Sequence, residues 1–366
     1  SKFCAGRLAL QLAQFSGLRS LVMASVRNRI VQRAILDVLQ KQKSLEDLIK
    51  GELSFGGIKG RGVQSAVETA QEKLRLHKNP YYICSDISGF FTAIRRKQVV
   101  QTVSDRVNEP LFIDLFDRAL KTELSNMATI RNHGLFPLHD IGVAQGCCLS
   151  PLVGNIYLQE FDQALNSSDV FCLRYIDDFL LIGPDKKTVR HKFAKSLEIL
   201  RDLGLDAYDP SKNPEKAHQG EAAKGFDYLG CSILPNDIRP STKGFKRLRG
   251  SIQESFQTVL SLAAQPDIEK ATYSNFTSAI AANSRKVEGW IKQYGFCSNV
   301  KVIKDWSGVL QKDLLEFENV FFKLVRGRDD SARSKLIGFC NMETAFQEQK
   351  LKLSKRILQK QSTRPK

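Results

Sequence analysis

Two apolar stretches of this chain end at carboxylates, and that coincidence constrains the fold more than any other feature. The first, "PYYICSDISGFF" (80–91), follows a proline with a β-favouring run and reaches Asp86 at its far end. The second, "RYIDDFLLIG" (174–183), sets Asp177 and Asp178 between Leu173, Tyr175 and Ile176 on one side and Phe179, Leu180, Leu181 and Ile182 on the other. Asp-Asp is common turn chemistry, so a solvated hairpin tip accounts for the pair taken alone. If the two strands are neighbours, three carboxylates converge as hard oxygen ligands, with room for phosphate oxygens and water. Two divalent cations about 3.5–4 Å apart can then clamp the attacking and leaving oxygens of a phosphoryl transfer.

What lies around these stretches is mixed. From Gly17 to Leu39 the chain is basic and mostly helix-compatible, and "SFGGIKGRG" (54–62) interrupts it with four glycines. Helical periodicity resumes over 63–76 and again over 98–129. "IGVAQGCCLSPLVGNIYLQEF" (141–161) reads as a glycine-bearing loop feeding a helix that Pro151 can start. Phe193, Leu197, Leu200 and Leu203 recur at helical spacing, with Gly204 placed to cap them. "GFDYLGCSIL" (225–234) is a short strand signal, and beyond Lys243 the chain is helical and basic. Residues 350–366 hold seven Lys or Arg and no acid. Strands and helices alternate irregularly and no glycine fingerprint opens a dinucleotide site, which favours an α+β centre over a doubly wound sheet.

Charge narrows the partner. Fifty-five basic against 39 acidic residues leave +16, a balance suited to a polyanion such as nucleic acid. No stretch approaches the ~18 apolar residues of a membrane span and no signal-peptide pattern opens the chain, so a membrane is not an expected partner. The eight cysteines are scattered, with no Cys-x-x-Cys pair and no histidine at zinc spacing. They read as buried thiols of a reducing, cytoplasmic protein.

Taken in order, "SDISGFF", "AQGCCLSPLVGNIYL", "RYIDDFLLIG" and "NPEKAHQGEAAKGFDYLG" resemble the motifs of reverse transcriptases. Within them the chain is similar to the bacterial group of group II intron maturases, retron enzymes and defence-associated polymerases. The likeness runs from about Arg19 to Trp290. It implies an α+β right-hand polymerase with fingers, a ferredoxin-like (RRM-like) palm and a helical thumb. The implied boundaries are 1–80 for the N-terminal fingers, 81–240 for the palm with an inserted fingers segment at about 95–140, 241–330 for the thumb and 331–366 for a basic extension.

The resemblance also implies roles. Asp86, Asp177 and Asp178 fall on the family's catalytic, metal-binding aspartates, Asp86 and Asp177 as the main ligands and Asp178 as a weaker one. The Ile87 carbonyl adds a ligand, and the cofactor is a pair of Mg²⁺ ions for which Mn²⁺ can substitute. Phe91 falls on the steric gate, where a ring under the sugar clashes with a 2′-hydroxyl and favours dNTPs. Gln145 and Gly146 match the loop beside the incoming nucleotide, and Ser150 and Pro151 match the helix start beside the template base. Tyr175 falls under the primer terminus. Lys216 matches a lysine that approaches the triphosphate and can protonate the leaving pyrophosphate. Tyr228, Leu229 and Gly230 match the primer-grip turn.

The departures lie upstream. "RSLVMASVRNRIVQRAIL" (19–36) resembles a fingers segment usually written Arg-Pro-Leu followed by Asp-Arg-Ile-x-Gln, with Ser20 and Asn28 as replacements. "FGGIKGRG" (55–62) is similar to a Gly-Phe-x-Lys-Gly-Arg-Ser turn, which would place Lys59 and Arg61 on the triphosphate. Gly57 and Gly62 depart from it, and Gly57 is expected to loosen the turn where a phenylalanine would anchor it. "EGWIKQYGF" (288–296) resembles a thumb helix with Trp290 in its core, while the Val-Thr-Gly thumb signature of retron enzymes is missing from the sequence.

The expected activity is RNA-directed DNA polymerisation, on an RNA template that is a dedicated non-coding RNA, with dNTPs as substrates and DNA as product. A stand-alone antiphage role follows from the same likeness, since neither a zinc-bearing endonuclease module nor an RNase H carboxylate set is read from these residues. An untemplated or protein-primed polymerase of the defence type shares every motif. A catalytically inactive RNA-binding scaffold is the alternative from another class, and retention of all three aspartates, Gln145 and Lys216 argues against it. A protein partner or a homo-oligomer stays open.

Overall fold

The computed structural model describes residues 9–14, 17–121, 140–166, 169–265, 274–340 and 342–362. The chain divides into two compact units, Ser1–Leu229 with Ile233–Asn236, and Gly230–Ser232 with Asp237–Lys366.

The first unit opens on an antiparallel ribbon of β1 (Ala9–Gln14) and β2 (Gly17–Val22). The helix expected from Gly17 therefore starts later, because residues 17–22 pair with the strand before them. That pairing overrides a weak local helix preference. α1 (Val26–Leu39) begins at Ser25, whose hydroxyl accepts from the Asn28 amide. α2 (Glu46–Ile49) and α3 (Val63–Arg75) flank the glycine-rich stretch. Then come β3 (Tyr81–Ser88), α4 (Phe90–Ala93), α5 (Arg96–Ser104) and α6 (Pro110–Leu120). The remaining elements are α7 (Ser150–Tyr157), α8 (Gln159–Leu165), β4 (Phe171–Tyr175), β5 (Asp178–Gly183), α9 (Lys186–Asp202), β6 (Asp206–Ala207), β7 (His218–Glu221) and β8 (Phe226–Tyr228). Pro151 lies in the first turn of α7, and Gly204, at φ +72°, ends the turn after α9.

β3 is the centre of an antiparallel sheet ordered β4-β5-β3-β6, with β7 also paired to β3. Its register with β5 runs from Tyr81 opposite Gly183 to Asp86 opposite Asp178. Along its other edge, Tyr81–Cys84 pair with β7 and Ile87–Ser88 with β6. Both faces are covered, which is why the strands read as continuous apolar runs instead of alternating. On one face Phe179 packs edge-on to Phe161 of α8 and stacks with Phe193 of α9. Tyr82 stacks on Phe226 at 4.1 Å between ring centroids. Ile83, Phe179, Leu180 and Leu181 are fully buried, each contributing roughly 1.5–3 kcal/mol.

β9 (Cys231–Leu234) carries the chain from one unit towards the other. β10 (Asp237–Pro240) leads to α10 (Thr242–Ala264), α11 (Phe276–Tyr294), α12 (Val300–Val325), α13 (Asp330–Ile337) and α14 (Met342–Ser362). The core of the second unit is aromatic, with Phe256 stacked on Phe317 at 4.1 Å and Phe276 within 4.9 Å of Phe321. Arg249 forks onto Asp313 at 2.7 and 2.8 Å, joining α10 to α12. Trp290 lies half-buried against Tyr294 and Trp306. Among the described residues no helix is long and apolar enough to cross a membrane.

Candidate active site

The sheet register brings the sequence's carboxylates together. Asp86 on β3 and Asp178 on β5 are direct cross-strand partners. Asp177 precedes Asp178 in the loop, and its carbonyl accepts from the Ile87 amide at 3.0 Å. All three carboxylates are half-buried. They act on their surroundings: the Cys84 thiol is pushed up first by burial and then by Asp178 and Asp86. Buried Tyr228 is raised well above the ordinary phenol range by burial first and by Cys84 and Asp178 next. Like charges directly opposed on neighbouring strands repel, with Cβ atoms about 4.5–5.5 Å apart. A divalent cation converts that repulsion into shared ligation, and oxygen-only donors suit a hard ion. The donor chemistry therefore fits a hard divalent cation, although no three His, Cys, Asp or Glu side chains form a closed ligand group among the described residues.

The β4–β5 hairpin turns on only two residues, Ile176 and Asp177, since Tyr175 pairs with Asp178. Ile176 stands at φ +62°. A β-branched residue in the left-handed region is a genuine outlier costing about 1–3 kcal/mol. Turn-favouring Gly or Asn is absent from this position, so the neighbours must hold the loop. The glycine stretch does so from one side: a Cβ on Gly56 would lie 2.4 Å from Ile176 Cγ1 and 2.7 Å from the Ile176 nitrogen.

The same stretch meets the start of α7. Gly57, at φ +72°, has Pro151 so close that a Cβ would sit 2.4 Å from Pro151 Cβ. Gly57 thus does not loosen the turn; it permits a contact that a phenylalanine side chain at that backbone position would forbid. Gly62 has open space around it and no steric reason to be glycine. Lys59 is exposed, whereas Arg61 donates from Nη1 to the carbonyls of Gly51 at 2.5 Å and Ser54 at 2.8 Å, bracing its own turn. Lys59 also lines a recess of about 230 Å³ with Lys41, Arg33 and Lys50, the last two paired there with Asp37 at 3.0 Å and Glu46 at 2.8 Å.

Phe91 is half-buried beside Phe90, 5.2 Å between centroids, and its carbonyl accepts from Val143. That contact ties it to the loop bearing Gln145 and Gly146. The Gln145 carbonyl accepts from Val22 at 2.9 Å, and Gly146 at φ +100° leaves no room for a Cβ against Leu21 and the Val22 carbonyl. Ser150 donates to the Ala144 carbonyl at 2.7 Å, closing the loop onto α7. Cys148 in this loop is lowered to about 7 by its hydrogen bond with Cys147.

Lys216 is exposed, with Nζ 6.0 Å from the Tyr208 ring. The Tyr208 amide donates to the Asp86 carbonyl at 3.2 Å, and its hydroxyl accepts from Ser88. Lys216 therefore borders the β3 end that carries Asp86. Tyr228 is buried, so only the turn after it can face a ligand; Leu229 at φ +49° and Gly230 at φ +79° form that turn. Tyr175 is half-buried at the mouth of the hairpin.

The family model described as "Reverse transcriptase (RNA-dependent DNA polymerase)" matches residues 14–233. "Protein YkfC" of Escherichia coli (strain K12) is 31% identical over 157 residues, 41% of this chain and 38% of that protein. The "Uncharacterized 91 kDa protein in cob intron" of Schizosaccharomyces pombe is 25% identical over 165 residues, 45% of this chain and 19% of that protein. The chain thus spans well under two thirds of the curated relatives it matches. Among solved structures, apo telomerase from Candida tropicalis aligns with a TM-score of 0.49 at 14% identity, covering 88% of this chain and 63% of that one. Telomerase from Candida albicans in complex with the TWJ fragment of telomeric RNA aligns with a TM-score of 0.45 at 12% identity, over 90% and 62%.

Proposed function

The chain belongs to the reverse transcriptase (RNA-dependent DNA polymerase) family, and from that premise we propose that it extends a 3′-hydroxyl with dNTPs on an RNA template. The observation that carries the proposal is the cross-strand register of Asp86 and Asp178 with Asp177 in the adjoining loop.

In this reading Asp86, Asp177 and Asp178, with the Ile87 carbonyl, hold two Mg²⁺ ions. When bound, the ions neutralise charge that builds on the phosphate and on the attacking and leaving oxygens. The chain's own groups position the reactants. Lys59, exposed and lining its recess with Lys41, attracts the triphosphate, while Arg61 keeps the turn in shape. Lys216 stands at the Asp86 end of β3, where it can hold a proton for departing pyrophosphate. Phe91, fixed by the Val143 hydrogen bond, lies under the sugar. Gln145, Gly146, Ser150 and Pro151 border the nucleotide and template base, and Tyr175 with the Tyr228–Gly230 turn supports the primer. Fingers, palm and thumb follow the boundaries read from the sequence, and the cellular role is antiphage defence with a dedicated non-coding RNA as template.

Purified protein with an RNA template and DNA primer tests this directly. Magnesium-dependent dNTP incorporation is expected, and Asp177→Ala should abolish it while leaving template–primer affinity within about twofold, because positioning and charge stabilisation are separable from phosphate binding. Persistent synthesis by that variant defeats the metal assignment. Product sequencing with and without added template separates templated from untemplated synthesis. Loss of phage protection in cells carrying Asp177→Ala is the matching test of the defence role.

A further inference from the structure

One arginine is buried against the loop that carries Asp177, together with its counter-charge. Arg174 of β4 is 1% exposed and forks onto Asp162 of α8, with Nε and Nη2 each 2.6 Å from a carboxylate oxygen. Nη2 also donates to Ser54 Oγ at 3.0 Å, and Nη1 donates to Asn155 Oδ1 at 3.1 Å and to the Ile176 carbonyl at 2.9 Å. All five guanidinium N–H groups are thereby used. Burial works against the charge, but Asp162 more than offsets it, and the guanidinium stays above its ordinary range.

The network reaches further on both sides. Ser54 donates its hydroxyl to Asp162 at 2.5 Å, and Asn155 donates its amide to the Gly56 carbonyl at 3.0 Å. Backbone hydrogen bonds from Phe55 to Arg174 and from Arg174 to Leu53, both 2.9 Å, clasp the glycine stretch to β4. A buried ion pair is weak evidence for stability, since apolar residues of similar volume often do as well or better. What an apolar side chain could not supply is the donor to the Ile176 carbonyl. That carbonyl belongs to the residue whose backbone is strained.

We propose that Arg174 is a positioning residue: with Asp162, Ser54 and Asn155 it clamps the Ile176 carbonyl, fixes the strained loop that aims Asp177, and ties that loop to the glycine turn at 54–62. The inference rests on the polymerase reading and adds to it a coupling between the triphosphate side and the carboxylate side. Asn155 is the joint, because its two amide atoms serve the two sides separately.

The test compares Arg174→Lys, which keeps the charge and loses the fork, with Asn155→Ala, which keeps the ion pair and cuts the joint. Primer extension gives kcat and the Mg²⁺ concentration for half-maximal rate; binding and thermal unfolding are measured alongside. Arg174→Lys should lower kcat about 10- to 100-fold and raise the Mg²⁺ requirement, with template–primer affinity within about twofold, as small misplacements of reacting groups do. Asn155→Ala should move both quantities the same way by about 3- to 10-fold. Adding Ile176→Gly to Arg174→Lys removes the conformational penalty and should restore about tenfold of the lost kcat. Unchanged kcat and Mg²⁺ requirement in both single variants overturns the positioning role, as does a loss that follows the melting temperature and ignores Ile176→Gly. If Arg174→Lys does not fold, Asn155→Ala decides alone. Absence of incorporation by the wild-type protein overturns the polymerase reading and this inference with it; normal wild-type synthesis with unaffected variants overturns this inference only.

Discussion

Single residues carry much of the specificity proposed for this protein. In the proposed reading the Phe91 ring senses the sugar, and a backbone hydrogen bond from Val143 and the neighbouring Phe90 hold that residue in place. Shortening it should open space for a 2′-hydroxyl: Phe91→Ala is expected to raise rNTP over dNTP incorporation by at least about tenfold, since steric exclusion of one group is worth roughly 1–3 kcal/mol. An unchanged ratio in single-nucleotide incorporation assays shows that the ring is core packing and no gate. Asp86, Asp177 and Asp178 were legible as residues because carboxylates abutting apolar runs are chemically conspicuous. The strain at Ile176 was not, because a backbone angle is set by what surrounds the turn. Arg174 was visible as a lone cation inside "FCLRYI", yet its partner Asp162 lies in another element, and nothing local in the sequence joins them.

At the scale of elements, close approach of α7 to the strand end shapes the site. Gly154 of α7 faces the Phe90 ring so tightly that a Cβ would lie 2.8 Å from Cε1 and 3.1 Å from Cζ, with Phe91 Cε1 at 3.8 Å. Alanine is the better helix former by about 1 kcal/mol, but displacing a buried ring from a packed core costs roughly 1–3 kcal/mol. The clash should win: Gly154→Ala is expected to lower the unfolding free energy by about 1–2 kcal/mol in urea melts. It should also alter the rNTP to dNTP ratio, because Phe91 shifts with its neighbour. An unperturbed melt and ratio argue that the helix glides away freely. Pro151 announced the start of α7, which begins at Ser150. The β1–β2 ribbon was missed, because residues 17–22 acquire strand structure only through pairing with 9–14.

For the whole molecule, the +16 charge is the main long-range property. Duplex binding by six to ten phosphate contacts loses about 10³–10⁵ in affinity between 50 and 200 mM salt. The affinity of this protein for an RNA–DNA duplex should therefore fall linearly on a log–log salt plot, measured by fluorescence anisotropy. A flat response would remove nucleic-acid backbone contact as the reason for the charge. Composition, the three aspartates, the order of the motifs and the helical nature of the second unit were all present in the sequence by itself, because hydrophobic runs, turn residues and charges are local properties. Which strand lies beside which, that Asp86 meets Asp178, that Gly57 must clear Pro151, and that Ser54, Asn155, Asp162 and Arg174 close on the Ile176 carbonyl were decided only by the tertiary structure. These depend on long-range register and packing, in which Ser54 and Arg174, 120 positions apart, share one hydrogen bond.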